Sequence, residues 1–199
     1  RMNYILALDA GTTSLKGVLF DAAGNSLASE LIEYDLEKPR PDVVELDSEV
    51  YWRALGGVVR KILAKSRVEP RQIAALGVTS QGETLTVVDR EGRPLRRSIV
   101  WLDNRSREEA DALSARFPLD TIYRLTGQQE MAPTWTATRL LWLRAHEPAV
   151  FARAARFLLP ADFLLFKLTG RFATHPGLNP STLYFDLTRR TWWPEMLDA

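Results

Sequence analysis

Residues 9–16 have the sequence Asp9-Ala10-Gly11-Thr12-Thr13-Ser14-Leu15-Lys16, and they join two short runs of strand-forming residues, Tyr4–Leu8 and Leu15–Phe20. A third run at Ser26–Tyr34 follows a turn at Asp21-Ala22-Ala23-Gly24, so this part of the chain predicts a β-meander. In a loop between two such strands, backbone N–H groups and hydroxyls can line an anion site. The stretch therefore predicts a phosphate-binding loop carried by a sheet.

The residue types in this loop suit phosphoryl transfer. Gly11 allows the backbone to approach a ligand closely, Asp9 could hold Mg2+ through a water molecule, and Lys16 could supply positive charge. The hydroxyl donors of the loop are Thr12, Thr13 and Ser14. The alternative is an ordinary hairpin in which these residues serve only the turn. A Walker-type P-loop and a dinucleotide-binding turn are disfavoured, because Gly-x-x-x-x-Gly-Lys is absent and no helix follows.

The rest of the chain predicts further strands and helices. A helix begins after Asp47 or Ser48 and runs to about Lys65, with apolar residues near a 3.6-residue period. An apolar, β-branched run follows, which is typical of a strand buried on both faces. The predicted strands are Ile73–Thr79, Thr84–Val88 and Ser98–Trp101, the last two flanking a turn at Arg90-Glu91-Gly92. Further helices are predicted at Ser106–Arg116, Thr136–His146, Glu147–Ala155 and Ala161–Leu168. This order of elements predicts a mixed α/β domain.

A first set of candidate ligand-binding residues follows the strand at Ile73–Thr79. Gln81, Gly82 and Glu83 lie at the end of this strand, where α/β folds commonly form ligand crevices. The alternative is that Gln81 and Glu83 only cap the loop. The position nevertheless predicts an edge that faces a polar ligand.

A second set follows the strand that ends at Val100. Trp101, Asp103 and Arg105 combine an aromatic ring, a carboxylate and a guanidinium, which together could stack on and hydrogen-bond a polyol. The alternative is a core tryptophan with a helix cap at Asp103 or Asn104. Both sets are therefore candidates for one ligand site.

Composition narrows the classes of function. Lys and Arg number 26 against 25 Asp and Glu, and the net charge of +1 gives no electrostatic case for nucleic acid or an anionic membrane. Cysteine is absent, and His146 and His175 form no ligand pair, so disulfides, thiolate sites and a metal hydrolase are disfavoured. The apolar run after Asn3 is too short for a signal peptide or a membrane span. We expect a cytoplasmic protein, and the sequence leaves a homodimer open.

Several of these motifs resemble known families. Asp-x-Gly-Thr-Thr-Ser-x-Lys at 9–16, followed by Val18-Leu19-Phe20-Asp21, resembles the first phosphate motif of the superfamily of sugar kinases, heat-shock chaperones and actin. Later segments resemble the FGGY family of carbohydrate kinases: Gly-Val-x-x-Gln at 77–81, Val-Asp-x-x-Gly-x-Pro-Leu at 88–95 and Ile-Val-Trp-x-Asp-x-Arg at 99–105. Thr136–Leu143 is similar to the family's Lys-Leu-x-Trp signature, with Arg139 in place of the usual Lys. The resemblance covers essentially the entire chain.

The resemblance implies a ribonuclease H-like fold of the actin-like ATPase superfamily, with a mixed sheet and flanking helices. Residues 1–199 would be the N-terminal FGGY kinase domain, without the C-terminal ATP-binding lobe. The family transfers the γ-phosphoryl group of MgATP to a sugar or polyol hydroxyl, so ATP and Mg2+ are the implied cofactors. The family's general base, an Asp in a Gly-x-x-Asp segment, would lie beyond Ala199. No catalytic base is therefore expected within the chain, which alone should show little or no turnover.

The resemblance also assigns roles to the candidate residues. Phosphate and ATP binding falls to Asp9, Gly11, Thr12, Thr13, Ser14 and Lys16, with Asp9 holding Mg2+ through water. Substrate binding falls to Gln81, Gly82, Glu83, Trp101, Asp103 and Arg105.

The choice of substrate depends on residues 81–84. Gln81-Gly82-Glu83-Thr84 resembles the Gln-Arg-Glu-Thr of glycerol kinases, yet Gly82 replaces the Arg that would grip a polyol hydroxyl. Thr134 also lies where an aromatic polyol contact is expected. The segment at 101–105 looks more like xylulokinase-type members, although Gly82-Glu83 departs from their Met-His pair. A ketopentose such as xylulose is the first expectation, and glycerol, another polyol or a non-catalytic sugar-binding relative stay open. A chaperone or cytoskeletal ATPase is disfavoured, because it has no place for Trp101–Arg105.

Overall fold

The computed structural model describes residues 3–199, so Arg1 and Met2, with which the predicted domain begins, lie outside the described residues. The chain folds as two compact units. Unit 1 comprises the described residues up to Leu36, Asp47–Gln81 and Pro160–Phe172, and unit 2 comprises Glu37–Leu46, Gly82–Leu159 and Ala173–Ala199. Each unit is therefore assembled from segments that are distant in sequence.

The secondary structure elements are numbered in chain order. The strands are β1 (Tyr4–Ala10), β2 (Ser14–Asp21), β3 (Ser26–Glu33), β4 (Glu37–Arg40), β5 (Val43–Leu46), β6 (Ile73–Ser80), β7 (Thr86–Val88), β8 (Ser98–Ile99), β9 (Arg156–Leu158), β10 (Phe185–Asp186) and β11 (Thr191–Trp192). The helices are α1 (Glu49–Ser66), α2 (Arg107–Arg116), α3 (Leu119–Thr126), α4 (Thr136–His146), α5 (Pro148–Arg153), α6 (Pro160–Thr169) and α7 (Pro194–Leu197). Short 3-10 helices lie at Pro70–Gln72 and Asn179–Thr182.

Unit 1 contains a four-stranded mixed sheet in the order β3-β2-β1-β6. The first three strands form the predicted antiparallel meander, and β6 runs parallel to β1. Alternation along the strands places one set of leucines in the core, because successive side chains of a strand point to opposite faces. These buried residues are Leu6, Leu8, Leu15 and Leu19. The predicted meander is confirmed, and its first turn is the candidate phosphate loop.

Helix α1 covers this sheet through contacts with β2 and β3. The carboxylate of Asp47 accepts a hydrogen bond from the backbone N–H of Glu49 at 3.0 Å, which satisfies one donor at the start of the helix. The helix lies very close to the sheet, since a Cβ built on Gly17 would be 2.5 Å from Val58 Cγ1. Glycine is thus required at position 17 by the approach of the helix.

Strand β6 corrects one expectation, because it is not buried on both faces. Ala74, Ala75 and Gly77 are exposed, and Leu76 retains 40% of its accessible surface. Within residues 3–199, β6 pairs with β1 alone and forms an edge of the sheet. A run of apolar, β-branched residues suits both a central strand and the edge of a sheet, so the composition of the strand did not indicate what flanks it.

Besides the two-stranded sheet of β10 and β11, unit 2 contains two small antiparallel sheets that are connected around one hairpin. One has the order β4-β5-β8, and the other pairs β7 with β9. Leu85, directly before β7, and Ile99, the last residue of β8, exchange two backbone hydrogen bonds of 2.8 and 2.9 Å. The predicted turn between these strands is confirmed, with Gly92 in the left-handed region at φ 78°. The residues that follow β8 therefore lie beside those that precede β7.

The helices of unit 2 agree closely with the predicted ranges. Helix α4 has the predicted bounds, α2 begins one residue later than predicted, and α5 is shorter than predicted. The sequence patterns did not indicate α3, which buries Ile122 and ends at Gly127, whose φ is 76°. A second apolar cluster forms between α2, α4 and the C-terminal residues. Its buried members are Leu113, Phe117, Ile122, Ala137, Leu183, Trp193 and Met196.

Candidate functional site

The loop between β1 and β2 is fixed by hydrogen bonds from Tyr34. The hydroxyl of Tyr34 donates to the carbonyl oxygens of Gly11 at 2.6 Å and Ser14 at 3.0 Å, and the backbone N–H of Tyr34 donates to the carbonyl of Thr13 at 2.9 Å. The Gly11 N–H closes the turn by donating to Ser14 O at 2.8 Å. Carbonyl oxygens would repel an anion, so their engagement by protein donors suits a phosphate loop.

Gln81 binds this same loop. Its backbone N–H donates to the carbonyl of Ala10 at 2.9 Å, and its side-chain amide donates to the hydroxyl of Tyr51 at 2.5 Å. The hydroxyl of Thr12 donates to Gln81 Oε1 at 3.3 Å. Gln81 therefore lies in unit 1 as part of the support of the phosphate loop.

Tyr34 and Tyr51 pack edge to face, with ring centroids 5.6 Å apart. Burial of Tyr34, together with the nearby Tyr51 and the carboxylate of Asp9, raises the pKa of its hydroxyl well above the ordinary value. The hydroxyl consequently stays protonated at any physiological pH. It can serve as a permanent donor to the loop carbonyls.

Asp9 and Lys16 lie near the loop ends of the two strands that carry it, one residue before the end of β1 and two residues after the start of β2. They are direct partners in the β1–β2 register, and both side chains are exposed. No ion pair involving Asp9 or Lys16 occurs among residues 3–199. An exposed carboxylate without a cationic partner fits a Mg2+ ion that keeps most of its waters, since Mg2+ in kinases is held by one or two carboxylates and the substrate phosphates. Asp9 is the residue that could hold this ion.

In unit 2, Glu83 and Trp101 lie beside the Leu85–Ile99 bridge. The backbone N–H of Trp101 donates to the hydroxyl of Thr84 at 3.2 Å, which ties the two segments together one residue from Glu83. The indole of Trp101 keeps 40% of its surface exposed, so it is not a core tryptophan. Thr134 donates to the carbonyl of Trp101 at 3.0 Å. The segments that carry an exposed aromatic ring and a half-buried carboxylate are thus held side by side.

Gly82 has open space around it. A Cβ built on this residue meets no atom within 4 Å, and its φ is not in the left-handed region. The fold would therefore accept a side chain at position 82. The absence of one leaves room next to Glu83.

Asp103 and Arg105 bind each other rather than facing an open surface. The Asp103 carboxylate is 1% exposed and accepts hydrogen bonds from the backbone N–H of Val44 at 2.6 Å and from the guanidinium of Arg105 at 2.8 and 2.9 Å. Arg105 also donates to Glu45 at 2.7 Å. We therefore revise the prediction that these two residues hydrogen-bond a polyol directly, because both side chains are buried and bind each other and the Val44–Glu45 strand.

The environment of Arg105 extends this pairing into a network. Burial disfavours its charge, but the hydrogen bonds to Asp103 and Glu45 outweigh burial and raise the pKa of Arg105 above its ordinary value. Its guanidinium stacks over the ring of Trp142 at 4.9 Å from the ring centroid. Glu45 binds Arg96 as well, and Arg96 binds Glu147 at 2.7 Å. This network fixes the segment that carries Trp101.

The sequence prediction missed four residues that support the phosphate loop and the candidate sugar contacts. Tyr34 and Tyr51 lie under the phosphate loop, Glu45 lies in the ion-pair network, and Arg139 binds backbone carbonyls near Glu83 and Trp101. In the sequence, Arg139 stood out only as the residue that replaces the usual Lys of the family's signature, and that resemblance did not indicate its contacts. The structure brings together residues 9–16 with Gln81 in unit 1, and residues 82–105 in unit 2.

No three His, Cys, Asp or Glu side chains within residues 3–199 are grouped so that they could hold a metal ion. Over the same range, every helix is too short or too polar to cross a bilayer.

The fold and the loop define the class of this chain, which is a mixed α/β domain of the actin-like ATPase fold. It resembles the crystal structure of a xyloylose kinase from Brucella ovis with a TM-score of 0.91 at 32% identity, over 98% of this chain and 40% of that one. A model of the N-terminal domain of the FGGY family of carbohydrate kinases matches residues 4–199. The chain therefore belongs to the FGGY family of carbohydrate kinases.

Curated relatives carry two different names. Xylulose kinase of Escherichia coli (strain K12) is 31% identical over 194 residues, which cover 98% of this chain and 39% of the relative. Glycerol kinase of Thermococcus gammatolerans is 34% identical over 199 residues, which cover 98% of this chain and 40% of the relative. The chain thus spans about two fifths of the length of the relatives that it matches.

Proposed function

We propose that the protein containing this chain is an ATP-dependent carbohydrate kinase of the cytoplasm, which transfers the γ-phosphoryl group of ATP to a hydroxyl group of a small sugar. The observation that carries this proposal is the loop at 11–14, whose carbonyl oxygens accept hydrogen bonds from Tyr34 and which lies between the exposed Asp9 and Lys16. Membership of the FGGY family supports the same reaction.

The phosphate loop has three tasks in this proposal. The loop residues bind the ATP phosphates, Lys16 neutralises part of their charge, and Asp9 holds Mg2+ through water. When bound, Mg2+ would screen the charge of the phosphate oxygens during transfer. The donors assigned to the phosphates are Gly11, Thr12, Thr13 and Ser14.

The sugar contacts are assigned to unit 2. Glu83 accepts hydrogen bonds from sugar hydroxyls, and the exposed ring of Trp101 packs against the carbon skeleton. Gly82 leaves space for the substrate, Gln81 supports the phosphate loop, and Asp103 with Arg105 holds the segment in place. Positioning of the two substrates, together with neutralisation of charge, supplies the catalysis that this chain contributes.

Xylulose is the first substrate that we propose. The open space at Gly82 supports a substrate larger than glycerol, because no side chain occupies that position. Glycerol or another polyol is the second candidate, which is supported by the 34% identity to a glycerol kinase. A non-catalytic sugar-binding relative is the third.

The test is an assay of ADP release by the full-length kinase with MgATP and a panel of xylulose, other ketopentoses, glycerol, erythritol and hexoses. Release with a ketopentose that is abolished by Asp9→Ala supports the first reading, and release with glycerol alone supports the second. A folded full-length protein that binds a sugar without releasing ADP would be the non-catalytic relative.

We also propose that residues 1–199 form an N-terminal kinase domain that needs the C-terminal lobe for turnover. Its coverage of about two fifths of the relatives supports this division. The chain alone should release no ADP above background in the same assay. Turnover by the chain alone would contradict the proposal that the C-terminal lobe is needed.

A further inference from the structure

Arg139 is the largest side chain that the fold buries completely, with 0% of its surface exposed. It lies in the first turn of α4 among buried apolar and hydroxyl-bearing residues. A buried guanidinium is costly unless it is hydrogen-bonded and its charge is compensated. The hydrogen bonds of the Arg139 guanidinium must therefore offset the cost of burying its charge.

The guanidinium binds backbone carbonyl oxygens and no carboxylate. One terminal nitrogen donates to the carbonyl of Glu83, and the other donates to the carbonyl of Val100 at 3.0 Å. Its Nε has no hydrogen-bond partner, and among the described residues Arg139 takes part in no salt bridge. Charge compensation comes from Asp103 and Glu83 at longer range, while burial lowers the pKa of Arg139 to about 10, so the side chain remains charged near neutral pH.

The two carbonyls belong to the two segments that hold the candidate sugar contacts. Glu83 is itself one of them, and Val100 directly precedes Trp101. These segments are joined on one side by the Leu85–Ile99 bridge and by the bond from Trp101 to Thr84. Arg139 adds a connection through its side chain, because its planar head can donate in two directions at once.

We propose that Arg139 is a positioning residue of the sugar site, which fixes the distance between Glu83 and Trp101 by binding the backbone of both segments. This inference rests on the proposed function, since it assigns Arg139 to the same site. A purely structural arginine would affect stability alone. A positioning arginine also affects the affinity for sugar, and it affects the affinity for ATP much less.

The experiment uses the full-length kinase and its best sugar from the panel. Arg139→Met removes the donors and the charge, Arg139→Gln retains a shorter amide donor, and Arg139→Lys retains the charge. The control is Leu113→Ala, which opens a cavity in another cluster of unit 2 and destabilises the fold without touching the two carbonyls. Sugar binding is measured by calorimetry without ATP, KM is measured for both substrates, and all assays are run well below each melting temperature.

We expect Arg139→Met to weaken sugar binding at least about tenfold and to raise the KM for ATP less than about threefold, because misplacement of contacts by a fraction of an ångström is costly. Arg139→Lys should retain sugar affinity within about threefold, since an ammonium carries three donors and keeps the charge beside the two carbonyls. Leu113→Ala should melt earlier and bind sugar normally.

Three outcomes would overturn the inference. One is a folded Arg139→Met or Arg139→Gln variant with unchanged sugar affinity, and another is an equal loss of affinity in Leu113→Ala. The third is a failure of both neutral variants to fold while Arg139→Lys folds, which would make the role structural only. If the unsubstituted kinase neither binds nor phosphorylates any sugar, the proposed function fails as well, and this result is separate because it needs no variant.

Discussion

Asp9 lies directly opposite Lys16 across the β1–β2 pair, and both side chains are exposed at the base of the phosphate loop. Directly opposed residues of an antiparallel pair point to the same face of the sheet. A carboxylate and an ammonium that share a face without forming an ion pair can each bind a charged ligand. The pair thus suits the proposed binding of a metal–nucleotide complex, which carries both signs of charge.

Substitution of either residue should reduce turnover far more than stability. Because the proposed function assigns each charge to the nucleotide, we expect Asp9→Asn and Lys16→Gln each to lower kcat/KM by about a hundredfold or more, with losses of stability below about 0.5 kcal/mol, as is usual at exposed sites. Steady-state kinetics and thermal unfolding of the full-length kinase measure both effects. Asp111→Asn, on the exposed face of α2, is the control and should behave as the unsubstituted enzyme.

We expect the hydroxyl of Tyr34 to contribute both to the free energy of unfolding and to the binding of ATP. Tyr34→Phe leaves the carbonyls of Gly11 and Ser14 without that donor, so we expect a loss of about 1–3 kcal/mol in the free energy of unfolding and a higher KM for ATP. Denaturant titration and kinetics test this. Tyr123→Phe removes a hydroxyl from a ring that is 54% exposed and should change neither value.

The same substitution, Tyr34→Phe, should change how the free energy of unfolding depends on pH in the alkaline range. The pKa of Tyr34 is raised in the folded state, so its contribution is fully present below the ordinary tyrosine pKa of about 10 and is lost as pH rises beyond it. The stability difference between the unsubstituted protein and Tyr34→Phe should therefore be constant from pH 7 to about 9.5 and should shrink above about 10. A difference that stays constant to pH 11 would contradict the raised pKa.

Alanine substitutions at two glycines should have opposite effects on stability. Gly82→Ala should be neutral or stabilising by up to about 1 kcal/mol, because the new methyl group meets no atom within 4 Å and the unfolded chain loses entropy. Gly17→Ala should destabilise by about 1–3 kcal/mol or more, since its Cβ would lie 2.5 Å from Val58. Urea unfolding of both variants is the measurement. Equal stability of the two would contradict the close approach of α1.

Removal of one partner of the buried pair of Asp103 and Arg105 should strongly lower the free energy of unfolding. Arg105→Met leaves the Asp103 carboxylate buried without its cation, and we expect a loss of about 3–5 kcal/mol. Arg97→Met is the matched control, because Arg97 pairs with the exposed Glu37 and should lose less than about 1 kcal/mol. Calorimetric unfolding separates the two. A small effect at Arg105 would mean that the network relaxes around the missing charge.

The sequence was informative where local patterns decide the structure. Strand propensity and turn residues predicted the meander and its loop, and apolar periodicity predicted α1 and α4. Asp103 and Arg105 could not be placed by such patterns, because their partners, the Val44 N–H and the Glu45 carboxylate, come from a strand about sixty residues earlier. A charged residue beside a tryptophan has the same appearance in sequence whether it binds a ligand or another side chain.

The supporting residues were harder to find for the same physical reason. Tyr34 reaches the loop across the end of β2, and Gln81 reaches it from the end of β6, so both contacts depend on the strand order. The burial of β6 was predicted wrongly, because composition does not reveal which strand lies at the edge of a sheet. Identification of these roles requires the tertiary structure.

The exposed edge of β6 has a practical consequence for work with this chain by itself. An edge strand presents N–H and C=O groups that can pair with a strand of another molecule, and Leu76 adds an apolar side chain at this edge. Charged or proline residues, which commonly protect such edges, are absent from Ile73–Ser80. We therefore expect the isolated chain to self-associate as its concentration rises, and to remain in solution better when this edge is covered.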